Sequence, residues 1–468
     1  MFSLPPPAPP SHRLSRHLIL VTLLPALLLV GCADFSKDGG FDFVSRVSQE
    51  RLGKQTRQNR SEEDAKAIAA AIRPLLAKPL NADAAVQIAL LNNSGLQATF
   101  ADLGIAEADL VQAGRPRNPG LSYRYPQGGT IERTLTLSLV SLLTIPLATR
   151  VERQRFEEAQ TEVANEVLRV AAETRRAYFE AVAAQQGAVY AKQVKTAAEA
   201  GTELANGMAR AGNWSKLDEA REQTFSADAT AGVAKAEEEA VTAREKLTRL
   251  LGVSGADARF RLPDRLPDLP AHRLQLRKAE SYALQNRLDI EAARQQTATL
   301  AAALGLTKAT RFINVLDLGY VQDRERGKGE EPGYEVSVEI PLFDGGGARV
   351  AKAEALYMQS AHRLAAIAVN ARSEVRESYE KQRIAYDLAR QYRDNVIPLR
   401  KRISEENMLR YNGMLISVFE LLADAREQVM SINGYIEALK DYWVAETDLE
   451  AAMGGKLPGT TATKGNPP

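Results

Sequence analysis

Apolar and polar residues alternate in four short stretches of the chain, two in each half. The stretches lie at 121–125, 134–139, 312–320 and 334–340. Their apolar members are Leu121, Tyr123, Tyr125, Leu135, Leu137, Leu139, Phe312, Leu316, Leu318, Tyr320, Tyr334, Val336, Val338 and Ile340. Because successive side chains of a strand point to opposite sides, this alternation predicts strands with one apolar and one polar face. Transmembrane strands of about ten residues have this pattern, and so do half-buried strands of soluble proteins.

Most of the remaining chain has the period of α-helices. The first predicted helix begins near Asp83 and ends at Gly114, and its counterpart runs to about Lys308. Two very long helices are predicted at 148–206 and 349–408. Since a helix rises about 1.5 Å per residue, roughly 60 residues reach about 90 Å. Pro398 is expected to bend or break the second long helix.

Each long helix is followed by a turn and a returning helix. The turns are predicted near 207–215 and 411–417, and the returning helices end near Leu251 and Met453. Glycines follow both ends, so Gly252 and the pair Gly454–Gly455 are expected to serve as C-caps. The pattern therefore predicts two long helical hairpins.

The two halves repeat each other in register. The first long helix carries a seam of mostly small residues at Val163, Val167, Val170, Thr174, Ala177, Ala181, Ala184 and Ala188. The second carries one at Leu364, Ala368, Ala371, Val375, Ser378, Gln382, Ala385 and Ala389. Leu364 lies 201 residues after Val163, and the same offset holds along the seam. Small seam residues let neighbouring helices approach closely around a wide cylinder.

This register predicts an internal duplication. We place one repeat at residues 81–261 and the other at 271–453, each with a helix, two strands and a long helical hairpin. An extended Pro-rich linker, residues 262–270, joins them, and the tail 454–468 is expected to be disordered. Residues 32–80 form an N-terminal tether or equatorial segment, in which a short helix is expected to start at Ser61.

Composition excludes several kinds of protein. The formal net charge of +1 argues against a nucleic-acid binder, whose basic excess would show. The single cysteine, Cys32, excludes an intrachain disulfide and a Cys-based metal cage. Gly345–Gly347 lacks the Lys and Ser/Thr of a phosphate loop, and His272 and His362 are isolated. We therefore expect no enzyme, no catalytic residues, no resident metal and no cofactor.

The N-terminus has the pattern of a secretory signal. Arg13 and Arg16 precede an apolar run at 18–30, which is too short to span a bilayer. The run ends in Leu29-Val-Gly-Cys32, which resembles a bacterial lipobox. We therefore expect residues 1–31 to be a lipoprotein signal peptide and Cys32 to carry a covalent lipid. The alternative is an ordinary signal or short anchor with a chance cysteine.

Four strands cannot close a membrane barrel, since closed barrels need about eight. An open sheet cannot lie in lipid with unpaired edges. If the strands cross a membrane, the barrel must be shared between subunits, and three chains would supply twelve strands.

Three segments carry a resemblance to the TolC-type outer-membrane efflux family over nearly all of the mature chain. Ile340-Pro-Leu-Phe-Asp-Gly-Gly-Gly-Ala-Arg349 resembles the family's strand-to-helix junction. Arg410-Tyr-Asn-Gly-Met-Leu-Ile-Ser-Val-Phe-Glu-Leu-Leu422 resembles its periplasmic helix-turn-helix, and Arg210-Ala-Gly-Asn-Trp-Ser-Lys-Leu-Asp218 resembles a divergent first copy of that turn. An early helix at 85–93 is similar to members linked to heavy-metal resistance.

This resemblance implies a membrane α+β fold, in which a trimeric 12-stranded β-barrel continues into a long periplasmic α-helical barrel. The chain would be the passive exit duct of a tripartite efflux system in the outer membrane of a Gram-negative bacterium. Its partners would be two further copies, a periplasmic adaptor, an inner-membrane transporter and outer-membrane lipid, with no nucleic acid.

The resemblance also assigns working residues. Adaptor-docking tips are expected at Arg210, Gly212, Asn213, Trp214, Arg410, Asn412, Gly413, Met414 and Leu415. Glu405 and Glu406 lie where the family narrows its periplasmic aperture with acidic side chains, although exposed helices often carry solvated Glu. The family's second tip usually has glycine where this chain has Met414, and Gly413 stands one position early.

Two other functions stay open. One is a secretion duct of the same family that exports polypeptides. The other, from a different class, is a soluble periplasmic coiled-coil lipoprotein with a structural role, in which the strands would be soluble and no pore would form.

Overall fold

The computed structural model describes residues 34–125, 130–272, 279–312, 315–325, 329–339 and 342–455. Cys32, the signal segment 1–31 and the tail from residue 456 lie outside these ranges. The described chain divides into two compact units. The sheet unit contains residues 34–39, 104–157 and 295–359. The helical unit contains residues 40–103, 158–294 and 360–455.

Long helices dominate the secondary structure. The helices are α1 (Phe41–Leu52), α2 (Glu62–Leu76), α3 (Ala82–Asn92), α4 (Ser94–Ala113), α5 (Leu139–Arg210), α6 (Lys216–Leu251), α7 (Ala279–Asn286), α8 (Leu288–Ala309), α9 (Gly347–Gln391), α10 (Ile397–Asn412) and α11 (Val418–Ala452). The strands are β1 (Gly120–Arg124), β2 (Ile131–Ser138), β3 (Leu316–Arg324) and β4 (Glu330–Val338). Within the described ranges, no helix carries a stretch long and apolar enough to cross a lipid bilayer.

The four predicted strands form one antiparallel sheet in the order β1-β2-β3-β4. Its register pairs Leu135 with Tyr320, and Tyr320 in turn with Tyr334. Opposed residues project on the same side of a sheet, so the predicted apolar residues within the four strands share one face, while Val321 lies on the other face opposite Thr134. The prediction of two strand pairs is confirmed, but Phe312, which was expected in the third strand, lies in a turn before β3.

The first strand-to-helix junction differs from the prediction. The first long helix was expected from about Ala148, but α5 begins at Leu139, directly after β2. Pro146 therefore lies inside the helix, in its early turns. The Thr144 hydroxyl donates to the Val140 carbonyl at 2.8 Å, which adds a hydrogen bond in the turn before this proline. The apolar residues at 139–147 fit both the strand period and the helix period, so the sequence pattern did not locate the start of α5.

Each predicted early helix is in fact two helices. The break between α3 and α4 lies at Asn93, whose side chain accepts a hydrogen bond from the Leu96 amide at 2.9 Å and so caps α4. The corresponding break between α7 and α8 lies at Arg287. Asparagine favours caps over helix interiors, and periodicity alone does not register such a one-residue break.

A close backbone contact at these breaks recurs in both halves. Gly252 ends α6 with φ of 66°, and a Cβ there would lie 2.4 Å from the Asn92 carbonyl oxygen. Gly454 follows α11 with φ of 87°, and its Cβ would lie 3.0 Å from the Asn286 oxygen. Only glycine combines left-handed backbone with so close an approach. Gly252 is the C-cap of α6 as the sequence predicts. The C-cap of α11 is Met453, and the amides of Gly454 and Gly455 after it donate to the carbonyls of Ala451 and Glu450.

The predicted seams face inward. None of the sixteen seam residues is exposed, and Val167, Thr174, Ala177, Ala371, Val375 and Ala389 are fully buried. The main core of the helical unit gathers residues mainly from α1–α6, α9 and α11, with Phe100, Leu247 and Tyr442 among its large members. The seam prediction is therefore confirmed as the packed face of both long helices.

The N-terminal segment is largely helical. Ser61 starts α2 as predicted, because its hydroxyl accepts a hydrogen bond from the Asp64 amide at 3.1 Å. Pro74 lies inside α2, near its C-terminal end. The sequence reasoning missed α1, which buries Val44, Val47 and Ser48 along one face.

The Pro-rich linker is a fixed strap across the helical unit. Its prolines offer backbone carbonyls without competing N–H groups, and side chains of several helices donate to them. Trp443 Nε1 donates to the Pro267 carbonyl at 3.0 Å, and the Tyr386 hydroxyl donates to that of Pro270 at 3.1 Å. Leu266 and Leu269 of the strap are themselves buried.

Pro398, which was predicted to bend or break the second long helix, lies beside a local change in its hydrogen-bonding pattern. It stands at the start of α10, directly after a π-helical turn at Tyr392–Val396. A π-turn inserts one residue into the helix without a sharp break. The Tyr392 ring fills the space above Gly434, where a Cβ would lie 2.6 Å from the Tyr392 hydroxyl.

Two half-buried carboxylates lie on neighbouring turns of α11. Gln382 of α9 donates to Glu446 at 2.8 Å, and Arg175 of α5 pairs with Glu450. Burial raises the pKa of both carboxyls above the ordinary value of 4.5, although Arg175 opposes this effect at Glu450.

We expect Glu446→Gln to weaken the pH dependence of stability. Because the folded pKa is raised, the native state binds more protons than the unfolded state just above pH 4.5. This contribution is present at pH 4.5 and is lost as pH rises through the folded pKa. Urea unfolding followed by helical circular dichroism between pH 7 and pH 5 measures it. The exposed Glu380→Gln is the control, and equal pH slopes for the two variants would contradict the expectation.

Candidate functional site

The ends of the two helical hairpins hold the predicted tip residues. Hairpin 1 joins α5 to α6 through residues 211–215, and hairpin 2 joins α10 to α11 through residues 413–417. The predicted side chains Arg210, Arg410, Asn412, Met414 and Leu415 are exposed, as are the backbones of Gly212, Asn213 and Gly413, while Trp214 is half-buried. Both turns therefore present polar and apolar groups to solvent.

Hairpin 1 turns through a left-handed glycine. Gly212 has φ of 75°, and its amide donates to the Ala209 carbonyl at 3.0 Å. The Asn213 amide reaches back to the Met208 carbonyl at 2.9 Å, which completes a Schellman-type cap. Ser215 then starts α6, since its hydroxyl accepts from the Asp218 amide at 3.2 Å.

Hairpin 2 makes the same turn with methionine in the left-handed position. Met414 has φ of 58° and is the sole non-glycine residue with positive φ in the described part of the chain. Its amide donates to the Tyr411 carbonyl at 2.9 Å, and the Leu415 amide donates to that of Arg410 at 2.8 Å. Gly413 has φ of −82°, which any residue adopts. Gly413 thus occupies a position that does not require the conformational freedom of glycine.

The methionine leaves an apolar group at the apex of hairpin 2. Met414 is 93% exposed and Leu415 is 77% exposed. A left-handed conformation costs a side-chain-bearing residue about 1–2 kcal/mol. An exposed side chain held at this cost indicates a role outside the isolated chain.

The predicted aperture residues lie one turn from cations on their own helix. Glu406 accepts from Arg410 at 3.1 Å, and Glu405 lies 3.9 Å from Lys401. Both carboxylates are exposed, and α10 buries none of its residues within the chain. The structure thus brings Glu406 and the tip residue Arg410 together as an ion pair.

An ion pair between a buried Glu and a partly buried Arg, which sequence reasoning missed, joins the two hairpins. Glu222 of α6 is 1% exposed, and Arg426 of α11 donates to its Oε1 at 2.5 Å. The Arg426 guanidinium also lies 4.5 Å from the Phe225 ring centroid. Among the described residues, Glu222 Oε2 and Arg426 Nε have no hydrogen-bond partner.

Close helix packing encloses this pair. The Thr202 hydroxyl of α5 donates to the Glu222 carbonyl at 3.1 Å. A Cβ on Gly201 would lie 3.4 Å from Leu422 and 3.6 Å from Glu222 Oε2, so this glycine lets α5 approach both helices. The sequence signal was weak, because Glu222 is one of many Glu residues on a helix rich in charge. A glycine inside the predicted long helix was the available hint.

We expect Met414→Gly to stabilise hairpin 2 by about 0.5–1 kcal/mol, which is the strain removed less the entropy that glycine loses on folding. Hydrogen exchange of amides at 408–420 should slow. The control is Gly413→Ala, because a Cβ at this position would lie no closer than 3.5 Å to its neighbours, which is ordinary van der Waals contact. Slower exchange in the control but not in Met414→Gly would contradict the assignment of strain.

We expect Glu222→Ala to destabilise the contact between the hairpins by about 1–3 kcal/mol. The substitution leaves the partly buried Arg426 without its counter-charge and opens a cavity beside Gly201. Amide exchange in α6 and α11 should accelerate near residues 222 and 426. Glu238→Ala, an exposed position on α6, should leave this exchange unchanged. Equal effects of the two variants would show that the pair does not hold the hairpins together.

Known proteins resemble this chain in sequence and in fold. No protein-family model matches the chain. The cobalt-zinc-cadmium resistance protein CzcC of Cupriavidus metallidurans is 26% identical over 280 residues, which cover 57% of this chain. The match spans 64% of CzcC, slightly less than two thirds of its length.

Solved structures match over much more of the chain. The CmeC outer-membrane channel of Campylobacter jejuni has a TM-score of 0.69 at 16% identity and covers 88% of this chain and 91% of its own. CusC, described as forming a transmembrane channel, has a TM-score of 0.66 at 18% identity and covers 80% and 92%. The open MtrE channel of Neisseria gonorrhoeae has a TM-score of 0.65 at 18% identity and covers 80% and 89%. The predicted resemblance is therefore confirmed, and the chain has the fold of the TolC-type outer-membrane efflux channels.

Proposed function

We propose that the chain is a passive exit duct of a tripartite efflux system in the outer membrane of a Gram-negative bacterium. Three copies form a twelve-stranded barrel that continues into a periplasmic helical barrel. An inner-membrane transporter supplies energy, and a periplasmic adaptor docks on the hairpin tips. No catalytic group or cofactor is needed. The observation that carries this proposal is the exposed apolar face of an open sheet, on a chain with the fold of outer-membrane channels.

The apolar face is continuous across all four strands. Its large exposed members are Leu121, Tyr123, Leu135, Leu137, Leu318, Tyr320, Tyr334, Val336 and Val338. The opposite face carries Thr134, Thr136, Asp317, Glu335 and Ser337. A sheet with lipid on one side and water on the other requires this division, whereas a soluble sheet would bury the apolar side.

The sheet edges favour a closed ring of subunits. β1 and β4 are the edge strands, and neighbouring strands alternate in direction. β4 of one copy would therefore run antiparallel to β1 of the next, as pairing requires. In lipid, every backbone polar group needs a partner, and closure with two further copies supplies it.

The hairpin ends suit a docking surface with a charged neck. Arg210, Gly212, Asn213 and Trp214 on hairpin 1, with Arg410, Asn412, Gly413, Met414 and Leu415 on hairpin 2, are the proposed adaptor contacts. In a trimer, Glu405 and Glu406 would form acidic rings that attract cations. Their ion pairs with Lys401 and Arg410 would moderate the repulsion within such rings.

Divalent metal ions or other small solutes are the proposed cargo. This part rests on the partial match to CzcC, a cobalt-zinc-cadmium resistance protein. We also propose that Cys32 carries a lipid that anchors the N-terminus in the outer membrane.

We expect Val336→Arg to prevent membrane insertion and Ser337→Arg to permit it. The two residues are neighbours on β4 but point to opposite faces, so one Arg meets lipid and the other meets the pore. A lipid-facing Arg near the bilayer centre costs about 2–4 kcal/mol per subunit. Purified wild type and Ser337→Arg should migrate as trimers and give stepwise conductance in planar bilayers, with lower cation selectivity in Ser337→Arg.

Other outcomes distinguish the alternatives. Equal solubility of both variants, without detergent and without conductance, would favour the soluble coiled-coil lipoprotein. Conductance together with export of a polypeptide rather than metal ions from cells would favour the secretion duct.

A further inference from the structure

A wholly buried amide on α9 makes one hydrogen bond fewer than its surroundings demand. Gln382 is 0% exposed, and its Nε2 donates to a carboxyl oxygen of Glu446 on α11 at 2.8 Å. Among the described residues, Gln382 Oε1 has no hydrogen-bond partner. A buried amide oxygen without a donor is destabilising, and native structures contain few of them. A group beside this oxygen must therefore supply the donor.

The seam of the first half has no amide at the corresponding position. Gln382 lies 201 residues after Ala181, which is also buried. Close packing of the seam is thus achieved by a small apolar side chain in one half. The amide in the other half indicates a specific polar contact between α9 and α11 rather than a general requirement of the seam.

The missing donor can come from Glu446 itself. An ionised carboxylate only accepts hydrogen bonds, whereas a protonated carboxyl also donates through its O–H. When Glu446 is ionised, the pair has the single bond from Gln382 Nε2. A proton on the other carboxyl oxygen makes an acid–amide pair, in which each group donates once and accepts once. The second bond then satisfies Gln382 Oε1.

Burial and a neighbouring carboxylate favour the protonated form of Glu446. Desolvation is the largest effect on its pKa and raises it above 4.5, and the negative charge of Glu450 on the same helix also raises it. The hydrogen bonds with Gln382 and Tyr442 act in the opposite direction. Tyr442 is 3% exposed, and burial raises the pKa of its own hydroxyl above the ordinary value of 10, so this neighbour is uncharged.

The cation that acts on this site belongs to α5. Among the described groups that shift the pKa of Glu446, Arg175 carries the positive charge, and it lowers that pKa. Arg175 also pairs with two other carboxylates, Glu450 and Asp83, the second at 3.4 Å. These two negative charges compensate much of its effect on Glu446.

The charged side chains next to Gln382 on α9 pair along their own helix. Lys381 contacts Glu377 at 2.6 Å, and Arg383 contacts Glu380 at 2.5 Å. The neutral amide is therefore the group that α9 presents to the carboxyl of α11.

We propose that Glu446 is a proton-binding site whose carboxylic acid pairs with the Gln382 amide and joins α9 to α11. Loss of the proton removes one of the two bonds and leaves a negative charge at a half-buried position. The contact between the helices is therefore tighter when Glu446 is protonated and looser when pH rises and the proton leaves. The proposal does not depend on the proposed function. Under that function the helical unit lies in the periplasm, and the contact responds to pH there.

Infrared difference spectroscopy of the full-length protein tests where the proton lies. A protonated carboxyl has a C=O stretching band that ionised carboxylates lack, and subtracting the spectrum of Glu446→Gln isolates the band of this residue. Between pH 5 and pH 8 we expect the wild type to lose one such band, with a midpoint above 4.5. Glu450→Gln, one turn away, is the matched control and should keep the band. Loss of the band in Glu450→Gln, or no difference band in the wild type, would overturn the proposal.

Exchanging the two side chains tests the partner. Gln382→Glu combined with Glu446→Gln places the acid on α9 and the amide on α11, so the double variant should keep a protonated band. Gln382→Leu removes both bonds of the pair, and the band of Glu446 should move to the higher frequency of a carboxyl with fewer hydrogen bonds. An unmoved band in Gln382→Leu would show that the amide is not the partner and would overturn the pair.

Amide hydrogen exchange measures the consequence for the helices. After correction for the intrinsic pH dependence of exchange, a rise from pH 5 to pH 8 should accelerate exchange at residues 442–449 several-fold in the wild type. Glu446→Gln should show little acceleration, because its two amides keep both bonds at every pH. Equal acceleration in the two proteins would show that the proton does not tighten the contact.

Discussion

The main physical constraint on this chain is the row of backbone N–H and C=O groups that β1 and β4 leave unpaired at the two edges of the sheet. An open edge in water invites aggregation, and an open edge in lipid costs several kcal/mol for each unsatisfied group. Exposure of the apolar face of the same sheet to water is also unfavourable. In the proposed trimer, assembly in the membrane solves both problems. Neighbouring copies pair the backbone groups at the sheet edges, and lipid covers the apolar face. The isolated chain is therefore an incomplete unit in its sheet, even though its helical unit has a closed core.

The helical unit meets a different demand, which is to hold two very long hairpins in fixed register. Small seam residues such as Ala177 and Ala371 let the helices pack closely, but they bury little apolar area each. The fixed points are polar or conformational instead. Gly252 and Gly454 bring helix ends close to Asn92 and Asn286, the strap accepts hydrogen bonds from several helices, and the Glu222–Arg426 pair joins the two hairpins.

Much of this could be predicted because its signals are periodic. Alternation at 134–138 and 334–338 predicts the strands, and the 201-residue register predicts which helix faces are equivalent. The incorrect predictions occur where a single residue determines the local structure. Asn93 breaks a helix by capping the next, and Leu139 begins a helix inside a run that also fits a strand. Glu222 could not be found, since its burial depends on three helices meeting at Gly201, and no local pattern encodes that meeting.

The described differences between the halves lie at the strand-to-helix junctions, at the hairpin turns and in the second long helix. The first junction is a continuous helix, whereas the second is a fixed loop with an exposed aromatic residue. Hairpin 1 turns through a relaxed glycine, whereas hairpin 2 turns through a strained methionine that points into solvent. The second long helix alone carries a π-turn before a proline, within the described helices. Packing demands are the same in both halves, and there the residues correspond. Packing within the chain does not explain the strained Met414 or the exposed Phe343. Under the proposed function, the hairpin tip contacts a partner and the junction lies beside the membrane barrel.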